Sequence, residues 1–109
     1  MSATISTHVL DAAAGTPAAG VPVSLERRLR DGGWSTPQRG RTDADGRLRF
    51  ADAVEQGTFR LTFATGEYFT AGGVPSFYPE VTVTFTVEAG HYHVPLLLSP
   101  YAYSTYRGS

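Results

Sequence analysis

From Val81 to Val87 the chain alternates without a break, with valine or phenylalanine at every odd position and threonine at every even one. Successive side chains of a strand point to opposite faces, so this pattern is a half-buried strand with one apolar and one wet face. The rest of the sequence follows suit, in short runs rich in Val, Thr, Tyr and Phe, separated by turn residues.

Thr4 to Asp11 alternates loosely, with Ile5 and Val9 on one face and Ser6 and His8 on the other. Gly15-Thr16-Pro17 reads as a turn, and Val21 to Arg30 as the next strand. Asp31-Gly32-Gly33 signals a hairpin, after which Trp34 to Thr42 resumes as an extended segment broken by Pro37. A turn at Asp43 to Gly46 leads into a short strand, Arg47 to Phe50. Thr58 to Ala64, His91 to Leu98 and Tyr101 to Tyr106 complete the set. Gly66 to Ala71 is the one stretch that reads as a helix, closed by Gly72, Gly73 and Pro75. About eight strands with frequent turns imply an all-β sandwich. Pro95 falls inside an apolar strand pattern, which calls for an edge, a bulge or an uncovered donor position.

At 109 residues the chain suits one domain spanning 1–109 with a single core. A formal net charge of -1 gives no reason to expect nucleic acid or an anionic membrane as partner. All nine basic residues are arginine. There is no cysteine, which rules out disulfides, thiolate catalysis and cysteine-ligated zinc. Met1 to Val9 has no basic or apolar leader-like region, and no apolar run approaches membrane-spanning length, so a cytoplasmic location is expected.

The histidines are His8, His91 and His93. His91 and His93 share a strand face, and with His8 they offer a weak three-histidine zinc reading. A calcium loop starting at Asp43 fails, because Val54 occupies the position that needs an acid. No nucleophile elbow, phosphate loop or dinucleotide fingerprint is present. Taken alone, Arg47 reads as a solvated strand-start arginine and Arg107 as part of a fraying tail. The tyrosines at 101, 103 and 106 are nevertheless a heavy aromatic load for a tail with no docking site.

The sequence from His91 to Pro100, followed by Tyr101 to Ser109, resembles the C-terminal signature of the 5-hydroxyisourate hydrolases, a transthyretin-like family. That family ends in Tyr-Arg-Gly-Ser, found here as Tyr106, Arg107, Gly108 and Ser109. His8 to Asp11, Gly15 to Ala18, Val21 to Leu25, Thr42 to Arg47 and Ser76 to Glu80 are similar to the family as well.

The resemblance implies two four-stranded sheets, one short helix and a homotetramer built as a dimer of dimers, with sites in a channel lined by more than one subunit. It implies hydrolysis of 5-hydroxyisourate, a planar oxidised purine, to 2-oxo-4-hydroxy-4-carboxy-5-ureidoimidazoline in urate degradation. Catalysis would fall to His8, Arg47, His93 and Tyr106. Substrate binding would use His8, Arg47, Tyr106, Arg107, Gly108 and Ser109. His8 or His93 would activate the water, the arginines would stabilise developing charge, and no metal or cofactor is called for. His91 receives no catalytic role. The rival readings are a small-ligand carrier on the transthyretin fold, which would bind without turnover, and a structural sandwich module.

Overall fold

The computed structural model describes residues 2–109. In chain order the elements are β1 (Ser2–Asp11), β2 (Thr16–Pro17), β3 (Pro22–Arg27), β4 (Gln38–Arg41), β5 (Arg47–Arg49), β6 (Val54–Glu55) and β7 (Gly57–Phe63). They are followed by α1 (Thr65–Ala71), β8 (Val81–Val87), β9 (Gly90–Ser99) and β10 (Ala102–Thr105). The strands form two sheets. One runs β10-β9-β1, with β2, β5 and β6 all pairing to β1; the other runs β4-β3-β7-β8. β1 and β9 are parallel, and every other pair is antiparallel.

The sandwich and its short helix agree with expectation. The described residues form ten strands rather than about eight, and the first sheet has six strands rather than four, because β1 is long enough for three short segments to pair along it, two of them only two residues long. One of these is Thr16–Pro17, part of the expected turn. The strand expected to reach Arg30 ends at Arg27, and the extended segment after Trp34 is laddered only over Gln38–Arg41, with Trp34 bridging Arg28 alone.

The inner faces close on one core. β1 gives Ile5 and Val9 and β9 gives Leu96 and Leu98; opposite them lie Val23, Leu25, Leu61 and Phe63, all at most 2% exposed. Fully burying an aliphatic or aromatic side chain of this size is worth about 1.5–3 kcal/mol, so this layer dominates the stabilisation. One polar residue enters it. Thr7 is 1% exposed, and its hydroxyl donates to the Val94 carbonyl at 2.6 Å, which removes the penalty of an unpaired buried group. α1 is tied back to the first sheet by Tyr68, whose hydroxyl donates to Asp11 Oδ2 at 2.9 Å. At seven residues it is far too short to cross a membrane, and no described helix is long and apolar enough to do so.

Pro95 lies in β9, between β1 and β10, so it is not at an edge. Of the three options the sequence offered, the uncovered donor position holds. The β10 ladder stops at Thr105, opposite Leu96, and pairing resumes in the same register with Gly108 opposite His93. Gly108 N–H donates to the His93 carbonyl, so the main chain of Pro95, two residues on, faces the same side. The missing donor therefore falls where Tyr106 and Arg107 leave the ladder, and the Pro95 carbonyl accepts instead from the Thr105 hydroxyl at 2.7 Å.

Candidate active site

The outer face of the β1-β9 pair is polar. Alternation that sends Ile5, Thr7 and Val9 inward sends Thr4, Ser6 and His8 outward, and in β9 it does the same for His91 and His93 while Tyr92 and Val94 turn in. The parallel register sets Thr4 beside His91, Ser6 beside His93 and His8 beside Pro95. On the other flank of β1, Arg47 pairs with His8 and Arg49 with Ser6. A cavity of about 370 Å³ opens over this face, lined by Ser6, Arg47, Arg49, His91, His93 and Ser109 among others.

The Asp43–Gly46 turn positions two of the expected residues. Asp43 Oδ1 accepts from the amides of Asp45 and Arg47, both at 2.9 Å, and so fixes the start of β5. The Asp45 carbonyl accepts from His8 Nε2 at 2.9 Å. A carbonyl can only accept, so this nitrogen carries the proton and, in the neutral ring, Nδ1 keeps its lone pair. Gly46 at φ +76° lies against the Val9 backbone, where no larger residue fits.

His93 is held from both sides. Its Nδ1 hydrogen-bonds Ser6 Oγ at 2.8 Å, and Gly108 packs on its ring. Burial, and then the neighbouring His8, His91 and Arg47, lower its pKa below the usual histidine value. The lowered pKa favours the neutral ring near pH 7, and Ser6 engages Nδ1 rather than Nε2. His91 stacks on it with ring centroids 6.4 Å apart.

Of the expected residues, His93, Arg47 and Ser109 line one cavity, Gly108 adjoins it, and His8 sits beside Arg47. Tyr106 and Arg107 do not join them in the single chain. They line a separate apolar groove of about 280 Å³ with Val83, Phe85 and Tyr92, and the Arg107 guanidinium lies 4.3 Å from the centroid of the Tyr92 ring. Among the described residues, no three His, Asp or Glu side chains are disposed to hold a metal ion, so the three-histidine zinc arrangement does not assemble. A larger groove of about 430 Å³ lies over the second sheet near Arg39, Arg41 and Glu80, without a histidine.

Thr4, Ser6, Asp43 and Arg49 were not singled out as site residues. The alternation of β1 puts Ser6 on the His8 face, but only the pairing of β1 with β9 brings it to His93.

The model of the HIUase/Transthyretin family matches residues 5–108, essentially the whole sandwich. The chain belongs to this family. A 5-hydroxyisourate hydrolase from Caulobacter vibrioides is 47% identical over 116 residues, covering 96% of this chain and 97% of that protein. The structure of Klebsiella pneumoniae 5-hydroxyisourate hydrolase superposes with a TM-score of 0.86 at 38% identity, over 98% of this chain and 99% of that one. Sea bream transthyretin in complex with thyroxine gives a TM-score of 0.89 at 32% identity, over 95% and 93% of the two chains. The family thus holds hydrolases and a thyroxine-bound transthyretin on one fold, and the curated relatives of this chain at 43–47% identity are 5-hydroxyisourate hydrolases, which places it with the hydrolases.

Proposed function

We propose that this protein hydrolyses 5-hydroxyisourate, opening its six-membered ring to give 2-oxo-4-hydroxy-4-carboxy-5-ureidoimidazoline. The observation that carries this reading is His93, held through Nδ1 by Ser6 at the wall of a cavity that also holds Arg47, where burial and its neighbours favour the neutral ring. Hydrolysis of a ring amide needs a base for water, a positive group for the developing oxyanion and a proton for the leaving nitrogen. His93 Nε2 takes the proton from water, which adds to the ring carbonyl carbon. Arg47 turns its forked donors to the oxygen that becomes negative. The C–N bond then breaks, and His93 Nε2 returns the proton to nitrogen. His8, fixed as the Nε2–H tautomer by Asp45, offers Nδ1 as an acceptor beside the cavity. Ser109 contributes its hydroxyl to substrate binding.

The proposed assembly is a homotetramer, a dimer of dimers. β8 and β10 are sheet edges, and the site lies on an outer sheet face that a second copy can cover. Because Tyr106 and Arg107 lie off their own cavity, their expected role in binding requires assembly or a shift of the tail.

The test follows the ultraviolet absorbance of 5-hydroxyisourate generated from urate by urate oxidase. The protein should speed its decay well above the unaided rate, and removal of Tyr106–Ser109 should abolish the effect. A folded protein that leaves the decay rate unchanged overturns the hydrolase reading in favour of a carrier.

A further inference from the structure

Four side chains on the outer face of the first sheet form an unbroken hydrogen-bonded line: Thr4 Oγ1 to His91 Nδ1 at 2.7 Å, His91 Nε2 to Ser6 Oγ at 2.9 Å, and Ser6 Oγ to His93 Nδ1 at 2.8 Å. The line begins at the cavity wall and ends at Thr4, beside the exposed His91. Resting on the hydrolase reading, we propose that Thr4, Ser6 and His91 are positioning residues that form a proton relay, setting the tautomer of His93 and linking its Nδ1 to solvent.

Donor counting carries the argument. Ser6 has one hydroxyl proton and meets two ring nitrogens, so it donates to one and accepts from the other. With both rings neutral, only two arrangements satisfy the line. In the first, His93 Nδ1–H donates to Ser6, Ser6 to His91 Nε2, and His91 Nδ1–H to Thr4. This leaves His93 Nε2 with a free lone pair, the form a base requires. In the second, every donor is reversed and His93 Nε2 carries the proton, the form an acid requires.

The line converts one form into the other without creating a lasting charge. When Nε2 takes a proton from the attacking water, Nδ1–H passes to Ser6 Oγ, the Ser6 proton to His91 Nε2, the His91 Nδ1 proton to Thr4 Oγ1, and the Thr4 proton to bulk water. His93 then gives its Nε2 proton to the leaving nitrogen, and a proton returning through Thr4 restores the first arrangement. One proton leaves and one comes back, so the net reaction is addition of water across the C–N bond. This matters at His93 because His8, His91 and Arg47 all oppose a full positive charge on its ring. An imidazolium there is costly, and a relay avoids holding one.

The plain alternative is that these bonds only fasten β1 to β9. The two are separated by His91→Ala assayed with and without added ring compounds. Loss of the relay should lower kcat at least about tenfold with little change in KM, since general acid–base steps contribute roughly 10²–10⁴-fold. Added imidazole, which both donates and accepts, should restore kcat. Pyrrole, the same ring with a donor only, should not. Ser6→Ala should show the same fall in kcat, and Ser6→Thr should recover most of it. His91 is exposed, so its alanine variant should fold, with far-ultraviolet circular dichroism as the check. An active parent whose His91→Ala and Ser6→Ala forms keep the parent kcat, or whose His91→Ala form responds equally to imidazole and pyrrole, overturns the relay alone. A parent that fails to accelerate decay overturns the hydrolase reading and the relay with it.

Discussion

The amide of Gly108 donates to the carbonyl of His93 at 2.8 Å, and the glycine sits so close to the imidazole that a Cβ added there would lie 2.6 Å from His93 Cδ2. That separation is shorter than real side-chain contacts allow, so the ring or the tail would have to move. Pro95 Cγ, 3.2 Å from the same point, closes one way out. Gly108→Ala should therefore lower kcat/KM by at least about tenfold, because small misplacements of a catalytic group carry large rate costs. Stability should change by about 1 kcal/mol or less, as the site is near the end of the described chain and outside the core. Steady-state rates and a thermal melt on the same sample check both halves.

The lowered pKa of His93 fixes the direction of the pH dependence. The neutral ring is the working base, so kcat/KM should stay high as pH falls to the usual histidine value of about 6.5 and decline only at lower pH. Stability follows the same sign. A folded-state pKa below the unfolded one contributes stability that is complete above about 6.5 and is lost as pH falls through the folded value. His8→Ala removes one of the neighbours that oppose protonation, so the acid limb of any residual activity should move up in pH. A pH–rate series on the parent and this variant measures the shift.

Arg47→Lys keeps the positive charge and loses the planar fork. If the guanidinium holds the developing oxyanion through directed donors, kcat should drop on the order of 10²-fold, the scale of losing one such donor. The Asp43 carboxylate meets only the main-chain amide of Arg47, which the substitution keeps, so the fold should persist. Single-turnover rates with both proteins at saturating substrate test this.

Tyr68 lies away from the cavity and serves the frame. Its hydroxyl donates to the buried Asp11 carboxylate, and burial together with that carboxylate pushes its pKa up to about 12. Tyr68→Phe leaves Asp11 short of a donor and should cost about 1–3 kcal/mol, with activity per folded molecule unchanged. In the parent, a raised pKa contributes stability that is present below pH 10 and lost as pH rises toward 12. Denaturant melts at neutral and alkaline pH read both effects, and the variant should lose the alkaline decline due to this group.

The strands were legible where alternation was clean. Val81–Val87 appears as a strand with the expected bounds, because one apolar face and one threonine face leave a single way to lie on a core. Thr16–Pro17 and Val54–Glu55 carry no pattern of their own and become strands only by resting on the long β1. The site divides in the same way. The period of two places Ser6 with His8 and His91 with His93, but it says nothing about which strands are neighbours. The parallel β1-β9 pairing, spanning most of the sequence, turns two separate faces into one line of hydroxyls and imidazoles. Tyr106 and Arg107 were expected at the site from their tetrapeptide, whereas the interrupted ladder at Pro95 and the Tyr92 ring draw Arg107 to the other side of the tail.

In the proposed mechanism, His93 drives the opening of the 5-hydroxyisourate ring. The most direct measurement compares initial rates of 5-hydroxyisourate decay, followed by ultraviolet absorbance, with no protein, with the parent and with folded His93→Ala. The parent should give a large acceleration and the variant a loss of at least about 10²-fold, the contribution expected of a general base. A variant that matches the parent would contradict that mechanism.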